Sequence, residues 1–186
     1  MLRPVSAALL VGTCITAQAQ SLDVAVSSDS AKVKYSAPFK PANFGLNQFD
    51  ISFMFTDEDD AVASYGMLVS DEADAATPGL EAGLGFKVYA ASADNNGSLA
   101  VGLGGELHYI APQLRRVGFG IYGYFAPDIV AFLDSDRFFD WGAGIGYQVL
   151  PEASVYLGYR KVEMGLNNGN DVVIDSGGHL GFKYGF

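Results

Sequence analysis

Two histidines are the residues of this chain best suited to acid–base chemistry. His108 and His179 are the only histidines, and catalysis would need one of them within hydrogen-bond reach of a carboxylate and a nucleophile. Asp175 lies four residues before His179, on the same face of a strand, and is the best candidate partner. His108 falls at a different height on another strand. We therefore expect no shared site and predict that the protein is not an enzyme.

Three further motifs resemble ligand sites. Gly118–Gly123 matches the glycine pattern of a dinucleotide site, which needs a turn between a strand and a helix; here Phe119 and Ile121 continue the alternation of a strand. The acidic run Asp57–Asp60 could gather divalent cations, but such runs are usually solvated surface. Asp94–Gly97 lacks the end ligands of a calcium loop and is typical of a turn. We expect neither a cofactor nor a metal.

The composition is typical of a membrane barrel. Hydrophobic residues make up 49% of the chain and aromatic residues 13%, and there are 23 glycines. The net charge of −10 offers no basic patch for nucleic acid. No segment after residue 19 approaches the ~20 apolar residues of a transmembrane helix. A membrane protein of this kind would cross the bilayer with strands.

The first 19 residues have the features of a secretory signal peptide. Met1–Arg3 carries a positive charge, an apolar stretch follows, and Ala17–Ala19 provides an A-x-A cleavage site. Cleavage after Ala19 leaves residues 20–186 as one barrel domain. Because Cys14 is the only cysteine, the mature chain would have neither a disulfide nor a thiol nucleophile.

Alternating apolar residues predict an all-β fold, an antiparallel transmembrane β-barrel of about ten strands. The first two segments are weak, so eight strands is an alternative. Leu150–Ala153 is expected to form one of the short periplasmic turns that such barrels prefer. The segments are 22–26, 31–35, 49–55, 63–69, 80–88, 99–109, 117–125, 139–149, 155–159 and 180–186.

The two faces of these strands differ, which predicts their orientation. One face carries Phe, Leu, Trp and Tyr, whereas the other is rich in glycine and charge, so we expect the bulky face to meet lipid. The inward charges would form a salt-bridge network, since charges removed from water must be paired. This network would plug the lumen or, alternatively, line a narrow pore; we favour the plug. Its members are Asp50, Glu81, Lys87, Glu106, Arg116, Asp140, Arg160 and Lys183.

The C-terminal strand resembles the assembly signal on the closing strand of bacterial outer-membrane barrels. His179, Gly181, Tyr184 and Phe186 fill its four positions. The resemblance implies an outer-membrane location with both termini in the periplasm. The implied partners are the barrel-assembly machinery, outer-membrane lipid and lipopolysaccharide.

The chain also resembles the YfaZ-type outer-membrane proteins of Gram-negative bacteria. The similarity rests on the glycine-alternating segment Val101–Gly105, on Pro151–Arg160 and on the aromatic C-terminus. It implies a signal peptide and an outer-membrane barrel, and it brings no catalytic residues.

Three functions follow as expectations. The first is a structural or interaction role in the cell envelope for a barrel with a largely plugged lumen. The second is a narrow porin-like channel for small solutes, and the third is a lipid-modifying enzyme, which the absence of a histidine near the outer rim disfavours. The longest outer loop, Pro127–Arg137, contains an apolar run, Asp128–Leu133, which we expect to cap the mouth.

Overall fold

The computed structural model describes residues 20–39, 46–73, 77–167 and 169–186. The predicted signal peptide, with its cleavage site and Cys14, lies outside the described residues. No helix within the described segments is long and apolar enough to span a membrane.

The described chain forms eleven strands and one short 3-10 helix over Asp128–Val130. The strands are β1 (Ser21–Val26), β2 (Ser30–Pro38), β3 (Leu46–Thr56), β4 (Ala61–Glu72), β5 (Leu80–Ala93), β6 (Asn96–Ile110), β7 (Val117–Ala126), β8 (Ala131–Leu133), β9 (Ser135–Leu150), β10 (Ala153–Leu166) and β11 (Asp171–Gly185).

Ten of these strands close into an antiparallel barrel, and the prediction of ten rather than eight is confirmed. The last strand pairs with the first, from Ser21 opposite Gly185 to Val26 opposite Leu180. Strand β1 has 6 residues and β11 has 15, so β1 covers only part of β11 at the closure. Both weak N-terminal segments are therefore barrel strands.

The expected capping loop at residues 127–137 is instead part of the wall. After Ala126 the chain makes the 3-10 turn, and β8 then pairs with β6 beyond the end of β7, with Phe132 opposite Leu99. Strands β7 and β8 are thus one strand with a bulge. Because β8 pairs with β6, its apolar side chains belong to the wall and do not fold over the mouth: Phe132 and Leu133 are 51% and 67% exposed.

We call the end of the barrel that carries Gln20 and Phe186 the terminal end, and the opposite end the loop end. Strands meet at the loop end through residues 27–29, 57–60 and 94–95, through Asp134, and where β10 ends at Leu166 and β11 begins at Asp171. The fully described connections at the terminal end are 111–116 and 151–152, the last lying within the predicted tight turn. Asp94 and Asn95 have φ of 48° and 61°, as a two-residue hairpin turn requires.

The bulky face of the sheet points outward, as predicted. Leu84 and Leu103 are 78% and 69% exposed on the outer wall, an arrangement that is stable when lipid is the solvent. Val62 and Leu68, whose apolar character interrupts the alternation of β4, point inward and are buried. The outward face is therefore apolar, whereas the inward face carries both polar and apolar side chains.

Candidate functional site: the barrel lumen

The half of the lumen nearer the loop end is filled by apolar side chains. Met54, Phe138 and Met164 are each at most 2% exposed, and the ring of Tyr89 lies 4.6 Å from that of Phe138. Val162, Leu166 and Ile174 belong to the same cluster. We call this cluster the apolar plug. The expectation of a small, charged interior therefore does not hold for this half, because β3, β9 and β10 each turn a large apolar side chain inward there.

Below the plug, Lys87 is the centre of a buried ionic cluster. Its Nζ lies 3.7 Å from Asp50 Oδ1 and 3.6 Å from Glu106 Oε1, and 4.3 Å from the ring centre of Tyr124. The Tyr124 hydroxyl donates to Glu106 at 3.1 Å. A cation with two carboxylates and an aromatic face is well compensated for its loss of water.

This cluster depends on a glycine in the intervening strand. Gly66 on β4 lies between Asp50 on β3 and Lys87 on β5. A Cβ at Gly66 would lie 2.8 Å from Lys87 Cγ and 3.1 Å from Asp50 Cγ. Only glycine leaves the space in which the two side chains cross β4 to meet.

A second ionic cluster ties the barrel seam together. Arg160, which is 1% exposed, donates through Nε to Asp175 and through Nη2 to Ser30 Oγ at 2.7 Å. Ser30 donates in turn to the other oxygen of Asp175 at 2.8 Å. The ladder between β1 and β11 stops at Leu180, so these three side chains join β2 to β10 and β11 beyond it. We call them the seam cluster.

A third cluster consists of a carboxylate and a hydroxyl. Asp140 is 2% exposed and accepts a hydrogen bond from the Tyr89 hydroxyl at 3.1 Å. Its other oxygen, like Asp50 Oδ1, has no hydrogen-bond partner among the described residues. The buried lumen charges are therefore found in three clusters, and Lys87 Nζ also lies 5.6 Å from the ring centre of Tyr122.

Inward rings lie flat on inward glycines of the neighbouring strand. Tyr156 donates to Asp23 at 2.6 Å, and its ring covers Gly181, where a Cβ would overlap it. Tyr122 covers Gly142 in the same way, with a Cβ only 2.7 Å from its Cε1. Gly181 is also a position of the predicted assembly signal, so the fold gives it a second role as the seat of Tyr156.

The structure places the eight predicted network residues in three environments. Asp50, Lys87, Glu106, Asp140 and Arg160 lie inside the barrel, in the clusters described above. Glu81 and Lys183 face the lumen at its terminal end, where both are exposed to solvent. Arg116 is exposed in the turn 111–116. Because β7 begins only at Val117, the alternation of that strand does not position Arg116, and its place in the network stays a prediction.

Sequence reasoning missed four inward charges. Lys32, Lys34 and Asp23 lie on the short strands β1 and β2, and Asp175 was considered only as a partner for histidine. Lys32 Nζ lies 5.9 Å from the ring centre of Tyr122. The outward alternation of Ala31, Val33 and Tyr35 was the available signal, since it assigns the lysines between them to the lumen.

The histidines do not form an acid–base pair with a carboxylate. Both oxygens of Asp175 accept hydrogen bonds from Ser30 and Arg160, so the candidate pairing with His179 does not form. His179 instead packs edge-on against Tyr156 at 5.8 Å, and its Nδ1 has no hydrogen-bond partner among the described residues. His108 lies against Gly120.

The acidic loop end shows no metal-binding arrangement. Asp60 Oδ1 accepts a hydrogen bond from the Asp94 amide at 3.2 Å, and Arg137 pairs with Asp171. Within the described ranges, no group of three or more His, Cys, Asp or Glu side chains could hold a metal ion.

Comparison with known proteins identifies the family. The family whose sequence model matches the chain is described as YfaZ precursor, and the match covers residues 2–186. The chain belongs to the YfaZ family. No curated protein matches this YfaZ-family chain. Together with the apolar outer wall, membership of this precursor family makes the protein an outer-membrane β-barrel.

Two solved structures are similar to this chain at low sequence identity. A chain from a study of the in-meso crystallization of membrane proteins is 11% identical with a TM-score of 0.50, over 90% of this chain and 83% of that chain. Ail, the attachment invasion locus protein of Yersinia pestis, solved with the heparin analogue sucrose octasulfate, is 12% identical with a TM-score of 0.26, over 91% and 99%.

Proposed function

We propose that this YfaZ-family protein is a closed barrel with a structural or interaction role in the cell envelope. The observation that carries the proposal is the filling of the lumen in two layers. The apolar plug occupies the half nearer the loop end, and the clusters around Lys87 and Arg160 bridge the strands below it. A side-chain interior packed in this way leaves no continuous aqueous path.

The proposal places both termini in the periplasm. Tyr184 and Phe186 stack at 6.2 Å on the outer wall of the terminal end, where an aromatic girdle would meet the lipid head groups. The closing strand presents His179, Gly181, Tyr184 and Phe186 to the barrel-assembly machinery before β1 pairs with it. The exposed outer wall would then contact outer-membrane lipid and lipopolysaccharide.

A narrow channel is the second candidate, and one observation favours it. Glu81 and Lys183 line an open vestibule at the terminal end, where both are exposed. A solute could enter there, but conduction would require the apolar plug to move. The proposal is non-enzymatic: both oxygens of Asp175 accept hydrogen bonds from Ser30 and Arg160, and His179 Nδ1 has no hydrogen-bond partner in the described part of the chain.

Planar-bilayer conductance of the refolded mature protein tests the proposal. The wild type is expected to give no openings while its heat-dependent gel shift shows a folded barrel. The variant Met54→Ala/Phe138→Ala/Met164→Ala is expected to conduct, because three plug side chains are removed. Phe139→Ala, which truncates a neighbouring side chain on the outer wall, is the matched control and should remain silent. Discrete wild-type openings would establish the channel instead.

A further inference from the structure

We propose that the loop-end part of β11 is an exposed strand edge, which binds an extended, cationic peptide segment of a partner protein as an added strand. Strand β1 pairs with β11 only as far as Val26 opposite Leu180, whereas β11 begins at Asp171. On the β1 side, no described residue pairs with β11 between Asp171 and His179. We call Asp171–His179 the free edge. The inference names a partner for the interaction role proposed above and rests on that role.

The alternation of hydrogen bonds along β11 shows which backbone groups are unpaired. Phe186 exchanges two backbone hydrogen bonds with Gln20, which precedes β1. Even-numbered residues of β11 therefore direct their N–H and C=O groups toward β1, up to the bulge opposite Val162. At Gly178 and Ser176 these groups point into the seam, where the part of the chain that the structure describes offers no backbone partner. Such a row of unpaired groups is a template for an added strand.

The free edge lies beyond the lipid-facing band of the wall. On the neighbouring strand β10, Lys161 and Glu163 form an ion pair on the outer face, and Lys161 lies opposite Ser176 of the free edge. The rings of Trp141 and Tyr159 pack 5.6 Å apart beside them, as in an aromatic girdle at head-group level. With both termini in the periplasm, the free edge lies at the cell surface, where segments of other proteins can reach it.

Neither this chain nor a second copy can supply the missing strand. The fully described connections at the loop end have at most four residues, so none can extend along the free edge. Two barrels in one membrane are related by rotation about an axis across the bilayer, so their β11 strands run in the same direction. Two identical edges pair about a two-fold axis only when they are antiparallel. An extended segment of another protein meets neither restriction.

The wall opposite the free edge is acidic and favours a cationic segment. A cleft of about 380 Å³ is lined by Glu58, Asp60 and Asp94 on the tips of two hairpins and by Asp171, Val172 and Val173 on β11. Glu58 and Asp94 are exposed, and no lysine or arginine occurs in residues 56–61 or 92–98. These carboxylates attract lysine and arginine side chains and repel acidic peptides, an effect that salt weakens.

Two glycines of the free edge leave room for a large side chain of the partner. Nothing lies within 4 Å of a Cβ placed at Gly177, and at Gly178 the nearest atom is the Gly158 carbonyl oxygen at 3.8 Å. Gly181, nearer the terminal end of the same strand, is instead covered by the ring of Tyr156. An aromatic side chain of an added strand would cover the free-edge glycines in the same way, which stabilises glycine at a sheet edge.

Fluorescence anisotropy of a labelled synthetic peptide tests the proposal on the refolded full mature protein in detergent. The probe has about nine residues, the length of the free edge, with lysine and valine alternating around one central tyrosine. The wild type is expected to bind it, and replacement of the lysines by glutamate should abolish binding. Two versions that are N-methylated at alternate residues keep the charge of the probe. The version that blocks the pairing edge should bind at least about tenfold more weakly.

A proline in the free edge tests the same contact from the protein side. Ser176→Pro removes an N–H that points into the seam and leaves the ladder with β10 intact, so it should weaken binding at least about tenfold. Ser176→Ala is the matched control. It also removes the hydroxyl that contacts Tyr159, but it keeps the N–H and should bind as the wild type does. The gel shift shows whether each variant is folded.

The acidic wall is tested by a pair of charge variants. Glu58→Gln/Asp94→Asn should weaken binding of the lysine probe and reduce its dependence on salt. Asp71→Asn/Glu72→Gln makes the same change of charge at exposed positions of the terminal end and should bind as the wild type does.

Two results with the wild type would overturn the proposal: equal binding of the parent probe and both N-methylated versions, or no binding of the parent probe at about 1 mM. A dimer that Ser176→Pro abolishes would assign the free edge to a second copy and would also overturn it. The closed barrel is judged separately, because a silent bilayer without peptide binding removes only the partner strand.

Discussion

The two halves of the lumen are built on different principles. The half nearer the loop end resembles the core of a soluble protein, with Met54, Phe138 and Met164 in one cluster of buried side chains. The half nearer the terminal end holds charge, from the buried Lys87 cluster to the exposed Glu81 and Lys183. Burial therefore determines how much free energy of unfolding is lost when the partner of a charged side chain is removed. Removing a partner deep inside leaves an uncompensated ion, whereas a charge in the vestibule keeps its water.

The largest expected effect is at the seam cluster. Arg160→Met leaves Asp175 buried and unpaired, and should lower the free energy of unfolding by about 3–5 kcal/mol. Urea unfolding in lipid vesicles measures this loss. Arg160→Met/Asp175→Leu removes both charges and should recover most of the stability. A single variant as stable as the wild type would show that the cluster does not hold the seam.

Truncation of a side chain in the apolar plug should lower the free energy of unfolding nearly as much as Arg160→Met does. Met164→Ala removes a side chain with no solvent exposure, and the lost burial and the cavity should lower the free energy of unfolding by about 2–5 kcal/mol. Leu157→Ala, on the lipid-facing wall of the same strand, is the matched control and should cost less. If the two losses were equal, the plug would not be a packed core.

A smaller effect is expected where a ring lies on a glycine. Gly181→Ala places a methyl group against Tyr156, and overpacking of this kind costs about 1–3 kcal/mol. Gly177→Ala is the control on the same strand, because nothing lies within 4 Å of its Cβ position. When Gly181→Ala is made in a Tyr156→Leu background, the loss in free energy of unfolding should be smaller. An unchanged loss would mean that the curvature of the strand, and not the ring, requires the glycine.

The smallest effects are expected in the vestibule. Lys183→Gln should change the free energy of unfolding by no more than about 0.5 kcal/mol, as exposed substitutions usually do. Lys87→Gln at the 5% exposed centre of the ionic cluster should cost several times more. If Lys183→Gln and Lys87→Gln lowered the free energy of unfolding equally in the same urea titration, the vestibule and the ionic cluster would not differ in the energetic role of their charges.

Period-2 alternation was sufficient to predict the barrel. The strand count, the outward bulky face and the tight turn at Pro151–Glu152 all follow from residue types that alternate along each strand. The interruption of β7 by the 3-10 turn was not predictable, because the run Asp128–Leu133 resembles any apolar loop. Only the pairing of Phe132 with Leu99 shows that it belongs to the wall.

The lumen clusters were only partly predictable for a similar reason. Alternation predicts that the side chains of Lys87, Glu106 and Arg160 point inward. It does not predict the pairing register of neighbouring strands, which decides which charges come into contact. Ser30 joins Arg160 across 130 residues of sequence, and no local pattern indicates such a contact. The plug was missed because Met54, Phe138 and Met164 interrupt the alternation that assigned the other inward positions to glycine and charge.

Accessibility of single cysteines to a charged, membrane-impermeant maleimide tests the closed lumen most directly. The mature chain offers a clean background, since Cys14 lies in the predicted signal peptide. Lys183→Cys lies in the vestibule, and Ala100→Cys replaces a plug residue with no exposure. In vesicles, rapid labelling of Lys183→Cys is predicted, with none of Ala100→Cys until the protein is denatured. Labelling of both at similar rates would contradict the account, because water would then reach the plug.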